Sequence, residues 1–182
     1  MEIVTPPRVQ WRPEIPTLGI TTVTPYQGML GVRDQLLREL LDWLDAANLQ
    51  CRGRWFLRFH SIEVNGPVKL EVGVADLSHP GDDHVQPGAL PDGWYASMVY
   101  RNHGLRAARV LLRWADDREL TLDSESGEDG DRFGCRYEAY GGDPRRQGPP
   151  SRWNVELSVR LRGKVAPWRL PRAIALYGSV PS

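Results

Sequence analysis

A chain of 182 residues with 41% hydrophobic and 25% charged content is large enough for one globular domain, or two small fused halves, with a real core. Lys+Arg and Asp+Glu balance at 23 each, so there is no basic field to gather phosphates, and a nucleic-acid partner is not expected. Cys51 and Cys135 lie far apart without metal-ligand or redox spacing, Met1–Gln10 has no signal-peptide core, and no apolar run of about 18 residues is present to span a bilayer. The expectation is a soluble cytoplasmic protein with no metal, no cofactor and no membrane partner.

In chain order, Leu18–Thr24 is β-branched and bounded by Pro16 and Pro25, and reads as a strand. From Met29 to Ala47, Leu30, Leu37, Leu40, Leu41 and Leu44 recur at helical spacing, with Arg33, Asp34, Arg38, Glu39 and Asp42 on the other face. Strands follow at Arg54–His60 and Lys69–Ala75, separated by the hairpin signal Asn65-Gly66. Leu77–Leu90 is rich in Pro, Gly, Asp and His and reads as a linker. The order then repeats, with a strand at Gly93–Tyr100, a helix at Leu105–Arg118, an acidic loop at Asp123–Asp131, and strands at Arg132–Tyr140 and Trp153–Leu161. Arg162–Ser182, with Pro167, Trp168, Pro171 and the apolar stretch Ala173–Tyr177, reads as an appended helix or arm.

Residue-level matches strengthen the repeat. Leu40-Leu41-Asp42-Trp43-Leu44-Asp45 with Leu49 lies over Leu111-Leu112-Arg113-Trp114-Ala115-Asp116 with Leu120. Arg54–Phe59 lies over Arg132–Tyr137, and Leu70-Glu71-Val72-Gly73-Val74 over Val155-Glu156-Leu157-Ser158-Val159. The fold class expected is therefore α+β, a tandem pseudo-twofold duplication of a β-α-β-β unit with antiparallel sheets, helices on one face and a ligand cleft between the halves. One domain spans 9–162, in halves of about 9–76 and 91–162 joined by the linker 77–90, and 163–182 is a C-terminal extension.

Five pieces in this order, Thr17-Leu-Gly-Ile-Thr-Thr, Leu41-Asp-Trp-Leu, Trp55-Phe-Leu-Arg-Phe-His, Leu70-Glu-Val-Gly-Val and Asn154-Val-Glu-Leu-Ser-Val, make residues 9–162 resemble the GyrI-like family. This is the effector-binding fold of bacterial multidrug-sensing transcription activators, which also occurs as a stand-alone protein. The resemblance implies two sheets facing across a cleft that takes bulky aromatic or lipophilic cationic molecules, with a glutamate of the last strand, Glu156 here, inside it. The family's Gly-Pro-Tyr after each first strand is replaced by Pro25-Tyr26-Gln27-Gly28 and Asn102-His103-Gly104.

Read without the family, Val155, Leu157, Val159 and Leu161 alternate with Asn154, Glu156, Ser158 and Arg160, so Glu156 points away from the helix-covered face. Glu71 is its counterpart, and the small neighbours Gly73 and Ser158 leave room beside each carboxylate. Alternation alone also fits a solvated second face with both glutamates as surface charges; the duplication and the resemblance favour a pocket. A partly desolvated carboxylate attracts a lipophilic cation, with cation–π contacts from Trp55, Phe59, Tyr137, Tyr140, Trp94 and Trp153 as candidate walls. Trp43 and Trp114, late on the two helices, read as packing residues. His60, His79, His84 and His103 form no metal set, and neither a nucleophile elbow nor a phosphate-cradling glycine loop is present.

The functional expectation is non-enzymatic binding, sequestration or sensing of bulky lipophilic or cationic aromatic compounds. No helix-turn-helix segment is seen before the domain, so DNA binding is not expected. The rival reading, which the resemblance also implies, is hydrolysis of cyclopropane-bearing electrophiles in the same aromatic cage, with a Glu156 carboxyl kept protonated by burial as the acid. An adaptor with an exposed apolar patch is a third reading. Ligand identity and oligomeric state are left open.

Overall fold

Two short turns, Pro13-Glu14 and Pro91-Asp92, frame the fold. The first joins β1 (Glu2–Arg12) to β2 (Ile15–Pro25), the second β5 (Gln86–Leu90) to β6 (Gly93–Arg101). The strands joined by each turn do not pair with each other. β1 pairs antiparallel with β6 and β5 with β2, so each half lends its leading strand to the other. After β2 come α1 (Met29–Ala46), β3 (Trp55–Ile62) and β4 (Pro67–Ala75). After β6 come α2 (Gly104–Asp116), β7 (Ser124–Gly127), β8 (Gly130–Tyr140) and β9 (Val155–Arg160). The computed structural model describes residues 1–50, 54–63, 65–128, 130–142, 145 and 152–163. Cys51 and the extension beyond 163 lie outside the described residues.

The α+β class and the duplication hold, but the resemblance's two facing sheets do not. β3 and β8 pair with each other, and the halves merge into one antiparallel sheet of nine strands in the order β1-β6-β9-β8-β3-β4-β2-β5, with β7 on β8. The expected linker 77–90 carries β5, and the acidic loop carries β7. Sequence reasoning passed over β1 and β5 because each contains proline, Pro6-Pro7 and Pro87. Both strands are sheet edges, where a missing N–H interrupts no ladder, and the register of β1 shifts around its two prolines.

The helices obey the repeat closely. Each ends on a left-handed residue, Asn48 (φ 55°) or Glu119 (φ 52°), and the next amide closes on the helix, Leu49 N–H on the Leu44 carbonyl (2.9 Å) and Leu120 N–H on the Ala115 carbonyl (3.0 Å). α1 lies on β2 and β4, burying Leu36, Leu37, Leu40, Leu41 and Leu44; α2 lies on β6, burying Ala107, Ala108, Leu111 and Ala115. Each fully buried leucine contributes about 1.5–3 kcal/mol of transfer free energy. Leu30, expected on this apolar stripe, instead stands 52% exposed at the start of α1.

The third strands do not obey the alignment read from sequence. Leu57 pairs with Val72 and Glu138 with Leu157, and Val72 and Leu157 are repeat equivalents, so Leu57 corresponds to Glu138 and not to Cys135, three residues earlier. Leu57 and Glu138 also pair directly with each other, so the pseudo-twofold axis passes between them. A slip by an odd number of residues turns a strand over. On β8, Arg136, Glu138 and Tyr140 therefore face the helices, while Cys135, Tyr137 and Ala139 face away.

Both faces carry a cluster of buried side chains. Beneath the helices lies the main core, which includes Trp55, Leu57, Phe59, Val72, Tyr140, Val155 and Leu157. On the opposite face Phe56, Ala75, Leu90, Tyr95, Cys135, Tyr137 and Ala139 form a second cluster. The Cys135 thiol is pushed up by burial and is not marked as reactive.

Candidate functional site

The helices sit over the outer strands of each half and leave the central pair, β3 and β8, open between them. This produces a groove of about 500 Å³ on the pseudo-twofold axis. Its floor is Leu57 and Phe59 of β3 with Arg136, Glu138 and Tyr140 of β8. Its walls are the first turns of the two helices, with Leu30 and Leu105 at the rim, 52% and 56% exposed. That volume suits a drug-sized ligand, and apolar lips around a few convergent polar groups are the usual construction of such sites.

At the centre stands Glu138. Tyr100 Oη donates to its Oε1 (2.9 Å) and Tyr140 Oη to its Oε2 (2.6 Å). Among the described residues no cation forms a salt bridge with it. Burial first, and then the neighbouring Glu138 charge, push both phenols well above their ordinary range and keep them protonated as donors. The first residue of α2 must be small, because a Cβ on Gly104 would lie 2.8 Å from Tyr100 Oη and 3.3 Å from Glu138 Oε1.

Beside Glu138 is an aromatic stack. The Trp55 and Tyr140 rings lie parallel at 3.9 Å, and Trp153 meets both edge-on at 5.7 and 5.8 Å. The Arg33 guanidinium covers Tyr140 at 5.8 Å and Trp153 at 5.9 Å while its Nε and Nη2 donate to Asp34.

On the opposite face, Glu156 accepts from Arg12 and from Arg54 Nη1 (2.5 Å), and Arg12 also donates to the Tyr137 hydroxyl. Burial works against ionisation of Glu156, but the two guanidinium groups outweigh it and hold the carboxyl below its usual range. Glu156 thus lies on the predicted face, with its charge matched by Arg12 and Arg54. Glu71 accepts from His60 Nε2 when that nitrogen is protonated (3.0 Å), with Arg58 at 3.9 Å. The space expected beside Gly73 is filled by the protein, since a Cβ there would lie 2.3 Å from Phe56 Cζ; Ser158 is fully buried. A wide concavity of about 1110 Å³ opens on this side, lined by Gln10, Arg12, Arg54, Phe56, Tyr137 and Glu156 among others.

The structure therefore divides the predicted residues. Tyr137, Glu71 and Glu156 are on the open side of the sheet; Trp55, Phe59, Tyr140 and Trp153 are beneath or beside the helices, the last three lining the groove. Trp94 packs against the main core on the helix side and edge-on against Trp11 at 5.7 Å, outside the groove lining. Glu138, Arg136, Arg33 and Tyr100 were missed. For Glu138 the available signal was the alternation Arg136-Glu138-Tyr140, which places the three on one face of β8, opposite Tyr137. Among the described residues no cluster of His, Cys, Asp and Glu is arranged for a metal, and no helix is long and apolar enough to cross a membrane.

No protein-family model and no curated protein matches the sequence. Among solved structures, the C-terminal domain of EcmrR has a TM-score of 0.64 at 14% identity, over 90% of this chain and 100% of that one. SAV2435, solved bound to tetraphenylphosphonium, has a TM-score of 0.56 at 10% identity, over 87% and 94%. A hydrolase from Listeria innocua has a TM-score of 0.53 at 10% identity, over 87% and 93%. These likenesses establish a shared architecture: the chain has the GyrI-like fold.

Proposed function

We propose that this chain binds bulky lipophilic aromatic molecules, for sequestration or sensing, in the groove between its helices. The observation that carries this reading is Glu138, a carboxylate at the floor of an apolar-lipped groove, oriented by two phenols and flanked by stacked rings. A ligand's rings fill the space between Leu30 and Leu105, and a donor group meets Glu138. The tetraphenylphosphonium bound by SAV2435 supports a polyaromatic occupant of this fold.

The test is a tryptophan-fluorescence titration with a panel of polyaromatic dyes. The double variant Leu30→Ser/Leu105→Ser removes two exposed side chains and leaves the core alone. Two apolar contacts of about 1 kcal/mol each predict a Kd weaker by about tenfold or more. Glu156→Gln, on the other side of the sheet, serves as a control that leaves the Kd unchanged. No saturable binding, or binding indifferent to the rim leucines, overturns the reading.

A second reading is turnover. A hydrolase shares the fold, and Tyr100 and Tyr140 place two protonated phenols beside Glu138. A phenol donating its proton to an opening strained ring while water attacks the ring carbon is general-acid hydrolysis. Incubation with a cyclopropane-bearing electrophile, followed by mass spectrometry, distinguishes this reading by a water adduct that disappears in Tyr100→Phe.

A further inference from the structure

The charges around the groove do not follow from a cationic ligand. Its lining holds two guanidinium groups, Arg33 and Arg136, and one carboxylate, Glu138. Arg33 shares its charge with Asp34, whose side chain is 47% exposed. Arg136 feels the charges of Glu138 and Asp131 but is hydrogen-bonded to neither among the described residues. Its guanidinium lies over the rings of Phe59 (5.5 Å) and Phe133 (4.9 Å), its Nε is buried without an acceptor, and among the described residues no carboxylate forms a salt bridge with it. Arg136 is half-buried, and a guanidinium whose Nε is shielded from water without an acceptor carries a desolvation cost that a negative group reaching it recovers.

The helix ends act in the same sense. α1 and α2 both begin at the groove wall, with Gly28 and His103 as N-caps; neither cap donates or accepts through a side chain, and neither first turn contains an acidic residue. The positive ends of two helices are thus left uncompensated beside Arg136 and Arg33.

We infer that the groove selects aromatic ligands bearing a negative charge, with Arg136 as the charge partner. This rests on the groove being the ligand site. The ligand's rings lie between the rim leucines and its negative charge lies in the field of Arg136. Arg33 already occupies the face of Tyr140 and Trp153 that a ligand cation would take.

Tetraphenylborate and tetraphenylphosphonium have nearly the same size and shape and opposite charge, so the pair isolates the sign of the field. Titrated into the full chain, tetraphenylborate is expected to bind at least tenfold more tightly. Arg136→Gln is expected to reduce that ratio by about tenfold, and Arg136→Lys to retain most of it. The change in ratio between variants removes any general difference in stickiness between the two ions. Tighter or equal binding of the phosphonium by the wild type overturns the inference while leaving the binding site standing, and needs no variant to fold. A preference that survives Arg136→Gln overturns the role of Arg136. Binding of neither ion removes the groove reading, and the inference with it.

Discussion

Glu156→Gln tests whether this residue is a structural tie or a ligand anchor. The carboxylate joins Arg12, at the end of edge strand β1, to Arg54, just before β3, across the three strands that separate them in the sheet. An amide of the same shape loses the charge that holds both. Arg54, with 59% of its side chain exposed, returns to water, and that limb is worth less than about 1 kcal/mol. Arg12 and Glu156 are each 13% exposed, so Arg12 keeps the Tyr137 hydroxyl and the Tyr95 and Tyr137 ring faces but exchanges a charged acceptor for a neutral one, and the loss there is about 1–2 kcal/mol. The total near 2 kcal/mol lowers Tm by about 4–8 °C for a protein of this size. Urea unfolding across pH provides the check. The folded carboxyl is held below its usual range, so its stabilisation is complete above the unfolded value of about 4.3 and is lost as pH falls through the lower, folded value. The gap between wild type and variant should therefore be full at pH 7 and shrink steadily below pH 4. A gap that persists unchanged to the lowest pH at which the fold survives, or a variant that loses ligand as well as stability, refutes the argument.

Two further predictions concern backbone and packing. Glu119 holds the left-handed position at the end of α2 (φ 52°), so Glu119→Gly should stabilise by about 0.5–1 kcal/mol in thermal unfolding, whereas Asn48→Gly at the equivalent position should change little because asparagine tolerates that conformation. Gly73→Ala should destabilise by about 1–3 kcal/mol in urea unfolding, since its methyl would lie 2.3 Å from Phe56 Cζ and 2.9 Å from the Leu18 carbonyl oxygen.

What was legible in the sequence was what local pattern encodes. Leu37, Leu40, Leu41 and Leu44 of α1, the Leu49/Leu120 match between the repeats and the Glu71/Glu156 strands were placed correctly because periodicity and turn chemistry act over a few residues. The face of β8 was not legible. The similarity of Arg54–Phe59 to Arg132–Tyr137 points to one alignment, whereas the ladders of β3 with β4 and β8 with β9 impose another. Ladder register is a long-range property, and a three-residue difference in it decides which of the two faces receives Tyr137 and which receives Tyr140. Nor can alternation reveal which side is covered when Phe56, Tyr95 and Tyr137 bury the second face as fully as leucines bury the first. The candidate site was missed with the register, because Glu138 becomes a groove residue only once β8 is turned the right way.

The pairing of Leu57 with Glu138 on the symmetry axis bears on why the two units share one chain. In a homodimer of a single unit, the residues facing each other there would be identical. Two leucines would give a greasy floor with nothing to orient a guest. Two glutamates, with Cα atoms about 5 Å apart, would repel, and one would have to hold a proton. Covalent fusion frees the two positions to diverge, so that one side chain fills space while the other carries a charge, and the groove gains a fixed polarity that exact twofold symmetry would forbid.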